Sequence, residues 1–172
     1  KYDLWNLKTV AEVRAGINTR NIAVSGDGKW VIAGNYLPPT LVVLDARDLS
    51  LVKLIPVADK DGKTSRVSAV YDAAPRKSFV AALKDIPEVW ELTYDPKAPP
   101  VYEGYVHDYR HGEGVAAQGP FPVRRILLDD VLDDFFFDQK YDHLIGAARE
   151  AGKGQVVNLN VRRKIATVDL PG

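Results

Sequence analysis

Four stretches of the chain follow one pattern, and that repetition limits the folds available to it. "YDLWNLKTVAEV" from Tyr2, "VVLDARDLSLVKLI" from Val42 and "VVNLNVRRKIATV" from Val156 each read as a short apolar strand, a polar turn with a basic residue, and a second strand. "VWELTYDP" from Val89 opens the same way. The starts are 40, 47 and 67 residues apart, so the last interval carries an insertion of about 20 residues beyond the period of about 40–50 that marks a β-propeller. The expected fold is therefore all-β. Blades of four antiparallel strands follow one another along residues 1–172, with about four present as part of a seven- or eight-bladed ring. Four blades alone would leave long unpaired edges. Either the chain is a segment of a larger propeller, or a homodimer closes the ring.

The apolar runs support strands over helices. Thirteen of them, from Tyr2–Asn6 and Val10–Arg14 to Lys164–Asp169, are short, rich in Val, Ile, Leu, Tyr and Trp, and punctuated by Gly, Pro, Asp and Lys. In "SGDGKW" the pair Asp27–Gly28 between two such runs signals a hairpin. The insertion falls at about 96–122, "PKAPPVYEGYVHDYRHGEGVAAQGPFP", whose Pro and Gly content reads as a loop with an added strand at Val101–Val106.

Composition then excludes several functions. Lys plus Arg and Asp plus Glu are 23 each, so no global field selects nucleic acid or an anionic membrane, and any electrostatic function is local. With no cysteine there are no disulfides, thiolate catalysis or cysteine metal sites. No apolar run approaches the roughly 20 residues that span a bilayer. The chain has no methionine, so Lys1 is expected to be an internal cut rather than a start.

Four stretches carry a resemblance to a known family. "YDLWNLKTVAEVRAGINTRNIAVS" with "GNYLPPTLVVLDARDL", then "SRVSAVYDAAPRKSF", then Leu132–Gly172, resemble in order the eight-bladed haem d1 propeller of cytochrome cd1 nitrite reductases. They are closer still to its haem d1 biosynthesis paralogues in denitrifying bacteria. The resemblance implies a periplasmic protein that holds haem d1 or a dihydro-haem d1 precursor on the top face of the propeller. It implies an oxidoreductase acting on dihydro-haem d1, with a c-type cytochrome or nitrite reductase as partner. A non-catalytic haem d1 carrier, a nitrite reductase d1 domain and an interaction propeller without tetrapyrrole are the alternatives.

Residue by residue, the resemblance points to the top-face loops. Haem d1 carries several carboxylates, and Arg20 in "NTR" matches a family arginine suited to holding one. Arg66 and Arg149 hold comparable positions, and Lys84 in "AALK" aligns with a family lysine that meets a carboxylate or extends to solvent. Tyr36 in "GNYLPP" either stacks on the macrocycle or packs against Pro38 and Pro39. Where the reductases place two histidines, this chain has Ala74 and Asp133. Asp133 is thus a candidate for proton transfer, and the loss of two proton donors favours a biosynthetic role over nitrite reduction.

Of the three histidines, His143 lies in an apolar strand and reads as structural. His107 and His111, in "VHDYRHGEG", have i, i+4 spacing, but Gly112 and Gly114 oppose a helix and no third ligand is evident, so no metal site is expected. His107 remains a candidate for reaching the tetrapyrrole. In "VLDDFFFD" the adjacent Asp133 and Asp134 point to opposite sides of a strand and cannot form one dyad. Nor do Asp129, Asp130 and Asp138 show the spacing of a calcium loop.

Overall fold

The computed structural model describes residues 1–101 and 119–170. Three separate four-stranded antiparallel sheets follow one another along the chain. The first contains β3 (Asn18–Val24), β4 (Trp30–Leu37), β5 (Thr40–Asp45) and β6 (Leu51–Pro56). The second contains β7 (Val67–Ala73), β8 (Ser78–Leu83), β9 (Glu88–Thr93) and β10 (Val123–Leu127). The third contains β11 (Asp134–Phe137), β12 (His143–Ala148), β13 (Lys153–Asn158) and β14 (Arg163–Asp169). Ahead of them β1 (Tyr2–Asp3) pairs with β2 (Lys8–Thr9).

The blade architecture agrees with the repeat, and the structure shows what the repeated template is. It is the hairpin of the third and fourth strands: β5–β6 and β13–β14 are two copies, and the Val89 copy is β9 followed, after the insertion, by β10. The copy at Tyr2 is the small β1–β2 pair. Four copies thus amount to three complete blades and one hairpin among the described residues. One strand is displaced and another is added. The expected strand at Val10–Arg14 is instead Lys8–Thr9, after which the Val10 amide returns to the Lys1 carbonyl at 3.0 Å. β10 was not anticipated, because Arg124 and Arg125 interrupt its apolar pattern. Arg125 lies 4.5 Å over the Trp90 ring, so a charged residue covers apolar surface there. The expected strand at Val101–Val106 lies almost wholly outside the described residues.

Alternation of side chains across the middle blade builds the core. β8 is buried throughout: Phe79, Ala81 and Leu83 join one apolar cluster with Ile32, Leu41 and Val43 of the first blade. Val80 and Ala82 join a second with Leu132, Leu144 and Val157 of the third blade. Close approach between blades also requires small residues. A Cβ at Gly34 in β4 would lie 2.7 Å from a Val67 methyl of the second blade.

The inner strands of neighbouring blades are joined by side chains that bind backbone. The Asn21 carboxamide donates to the Val70 carbonyl at 2.7 Å and accepts from the Val70 amide at 3.1 Å, replacing a missing ladder step. The Ser68 hydroxyl sits between the carbonyls of Ala82 at 2.9 Å and Leu132 at 2.5 Å, linking the second blade to the third.

Connections from one blade to the next, and from second to third strands, emerge on one face, here called the top. The turns Ser25–Trp30 and Ala74–Lys77 lie on the opposite face, as do the described roots of the insertion. Tyr94 at one root donates its hydroxyl to Asp72 at 2.7 Å and receives the Gly26 amide at 3.3 Å, all at bottom-face positions. No helix among the described residues is long and apolar enough to cross a membrane.

Phe79 is fully buried between two blades, with Tyr94 5.3 Å and Phe121 6.4 Å from its ring. Phe79→Ala in the full-length protein is expected to cost about 3–5 kcal/mol of unfolding free energy, read as a lower urea midpoint.

Candidate functional site at the top-face mouth

Arg20 leaves its expected setting: it lies in β3 rather than in the loop before it. A register shift between Thr19 and Asn21 sets it apart from the regular ladder. Its Nε donates to the Ser68 carbonyl at 3.2 Å, which pins the stem across the seam between first and second blades. The guanidinium is exposed and forms no ion pair among the described residues.

Two of the other expected cations, Arg66 and Lys84, are already matched by carboxylates. Arg66 binds Asp85 through Nε at 2.9 Å and Nη2 at 2.5 Å, and the Arg66 amide donates to the same carboxylate at 2.9 Å. The Lys84 amide closes the unit on the Arg66 carbonyl at 2.9 Å. This three-donor clamp holds the Asp85 carboxyl below its ordinary value of 3.8 and raises the Arg66 guanidinium in turn. Arg66 keeps 46% of its side chain exposed, so its outer edge still faces solvent. Its guanidinium lies over the Tyr36 ring at 5.3 Å, so Tyr36 is fixed by a cation rather than by Pro38 and Pro39 alone.

Lys84 Nζ donates to Asp133 Oδ1 at 2.9 Å, bridging a loop of the second blade to the entrance of the third. Asp133, the carboxylate singled out by the sequence, is therefore an ion-pair partner. Asp134 turns the other way: its Oδ1 accepts the Tyr71 hydroxyl at 2.8 Å and the Phe135 amide at 2.9 Å. The two neighbours diverge as strand geometry requires. A Cβ at Gly146 in β12 would meet the Asp134 carbonyl at 2.8 Å, so glycine there lets β11 sit close in its blade.

Arg149 opens the short turn Arg149–Ala151 between β12 and β13 on this same face. His107 lies outside the described residues, and the described roots of its loop leave from the opposite face. Ala74 also proves to be a bottom-face residue, in the turn Ala74–Arg76 beside Gly26. Its lack of a histidine thus says nothing about the top-face mouth, and only Asp133 retains that comparison. His143 holds Asp138 at 2.9 Å through Nδ1 and Asn158 at 3.1 Å through Nε2, away from the mouth. No cluster of three or more metal-ligating residues occurs among the described residues.

Sequence reasoning missed Asp85, Tyr71 and Asp134. Asp85 could have been found as the acid beside Lys84 in a top-face loop. The Tyr71–Asp134 contact joins residues 63 apart on different blades and leaves no local signal.

Separate four-stranded antiparallel blades following one another along the chain place the protein in the β-propeller class. The sequence model for the cytochrome d1 haem domain matches residues 1–171, and the chain belongs to that family. It is 52% identical over 171 residues to the dihydro-haem d1 dehydrogenase of Pseudomonas aeruginosa, covering 99% of this chain and 30% of that protein. It is 36% identical over 96 residues to protein NirF of Stutzerimonas stutzeri, covering 55% of this chain and 24% of that one. Among solved structures, dihydro-haem d1 dehydrogenase NirN in complex with DHE superposes with a TM-score of 0.82 at 50% identity, over 99% of this chain and 32% of NirN. The β-propeller domain of Cps50 (Swd1) from Myceliophteria thermophila shares the fold, with a TM-score of 0.66 at 14% identity over 99% of this chain and 48% of that one. The chain thus spans about a third of the length of the dihydro-haem d1 dehydrogenases it matches.

Because the Asp85 carboxyl is depressed in the folded state, its contribution to stability is present above the unfolded value and is lost as pH falls through the folded one. The thermal midpoint of the full-length protein should exceed that of Asp85→Asn at pH 7. The gap should close below the ordinary value of 3.8.

Proposed function

We propose that the full-length protein binds haem d1 or its dihydro precursor on the top face and dehydrogenates the precursor in a periplasmic step of haem d1 biosynthesis. Support comes from family membership and from the likeness to a dihydro-haem d1 dehydrogenase. The observation that carries the reading is Arg20. It is a positioned, exposed guanidinium with no carboxylate partner among the described residues, on the face where Tyr36, Arg66 and Lys84 converge.

The donor set fits such a ligand. A tetrapyrrole carboxylate would take the two terminal nitrogens of Arg20, whose Nε is held by Ser68, while a macrocycle edge would rest near the Arg66–Tyr36 stack. Arg66 and Lys84 would hold further carboxylates only in competition with Asp85 and Asp133. Arg149, which opens the turn between β12 and β13, is the candidate for a ligand carboxylate on the third blade. The chain's own residues bind and orient the substrate and accept its proton. Electrons would leave to a c-type cytochrome.

Adding haem d1 to the full-length protein should perturb its absorbance spectrum, and an unchanged spectrum would remove the haem reading. Incubation with dihydro-haem d1 and an electron acceptor should yield haem d1. Binding without turnover would instead show a carrier. Arg20→Ala should weaken binding about tenfold or more, because a charge-assisted contact contributes on the order of 1.5–3 kcal/mol and about 1.4 kcal/mol is tenfold. Unchanged affinity would sink the role of that arginine.

A further inference from the structure

We propose that Asp134 is the proton acceptor of the dehydrogenation and that Tyr71 is the residue that positions it. This rests on the dehydrogenase reading and assigns within it a base that sequence comparison does not identify. Four observations carry it.

First, Asp134 opens β11 at the top-face mouth and is exposed there. Second, its Oδ1 is fixed by two neutral donors, the Tyr71 hydroxyl and the Phe135 amide, while Oδ2 receives no hydrogen bond from the described residues. Third, no cation pairs with it among the described residues, whereas Asp133 is held by Lys84. A carboxylate held by an ammonium has to give up that contact as it takes a proton, whereas one held by neutral donors does not. Fourth, the Tyr71 ring is itself held, edge to face against Phe135 at 5.1 Å. Its hydroxyl stays protonated, since the bond to Asp134 and partial burial both raise it.

The same seam supplies the anchor. Arg20 lies within electrostatic reach of Tyr71 and is held on Ser68, in the strand that carries Tyr71. A substrate carboxylate bound by Arg20 would bring its neighbouring carbons toward Oδ2 of Asp134. Forming a carbon–carbon double bond removes two protons and two electrons. One C–H bond breaks with its proton passing to Asp134 Oδ2. The two electrons pass singly to two equivalents of an oxidised c-type cytochrome, and the hydrogen on the second carbon leaves as a proton to water as the double bond forms.

The test uses full-length protein, dihydro-haem d1 and oxidised c-type cytochrome, measuring turnover by haem d1 absorbance and affinity by spectral titration. Asp134→Asn should keep the shape and the two neutral hydrogen bonds, hold affinity within about threefold, and lower turnover by about a hundredfold or more. Tyr71→Phe should lower turnover about tenfold with affinity unchanged, and Asp134→Glu should recover part of the loss. A merely structural role predicts instead a lower thermal midpoint and parallel losses of affinity and turnover. Turnover of Asp134→Asn within threefold of wild type, or loss of affinity in proportion to turnover, overturns the assignment. Should Asp134→Asn fail to fold, Tyr71→Phe decides alone: full turnover there overturns it. Wild-type protein that binds but does not turn over sinks the dehydrogenase reading first, and Asp134 with it.

Discussion

The blades share no backbone ladder among the described residues, so everything at the mouth depends on how side chains bridge one inner strand to the next. Asn21 does this most directly, by imitating a peptide group toward Val70. Arg20 and Ser68 repeat the device on either side of β7. Each tie sets the height and rotation of one blade against its neighbour. The top-face residues inherit that placement, because they lie at the ends of the strands being tied.

Packing makes the ties rigid. The middle blade is buried on both faces, and β8 sends Phe79 and Leu83 toward one neighbour and Val80 toward the other. A sheet buried on two sides cannot shift register without moving every side chain to the wrong cluster. Polar side chains therefore meet across blades at fixed distances, as with Lys84 and Asp133 at 2.9 Å on the top and Arg76 and Asn160 at 2.7 Å on the bottom.

At the mouth this rigidity separates two kinds of charge. Arg66 and Lys84 carry their own counter-ions, so they shape the surface and compete weakly for a ligand. Arg20 and Asp134 lack such partners among the described residues and are left to whatever binds. The distinction is electrostatic rather than positional: all four lie on one face, and only the pairing differs.

Much of the fold was legible in the sequence, because strand period, turn residues and a repeating template are local properties of a chain. So were the top-face loops and the cations on them, once the strand order was inferred. What the repeat meant, a third-and-fourth-strand hairpin rather than a blade from its start, depended on pairing between distant segments. The same is true of the site. Residue identity showed that Arg20, Lys84, Asp133 and Asp134 could carry charge, but which charges cancel was decided only in the tertiary structure. Asp133 and Asp134 are adjacent in sequence and meet different parts of the second blade, so one is paired with a lysine 49 residues away, in the loop after β8, and the other with a tyrosine 63 away, in β7. Coulombic pairing acts through space over a few ångströms, and only the packed blades determine which residues lie that close.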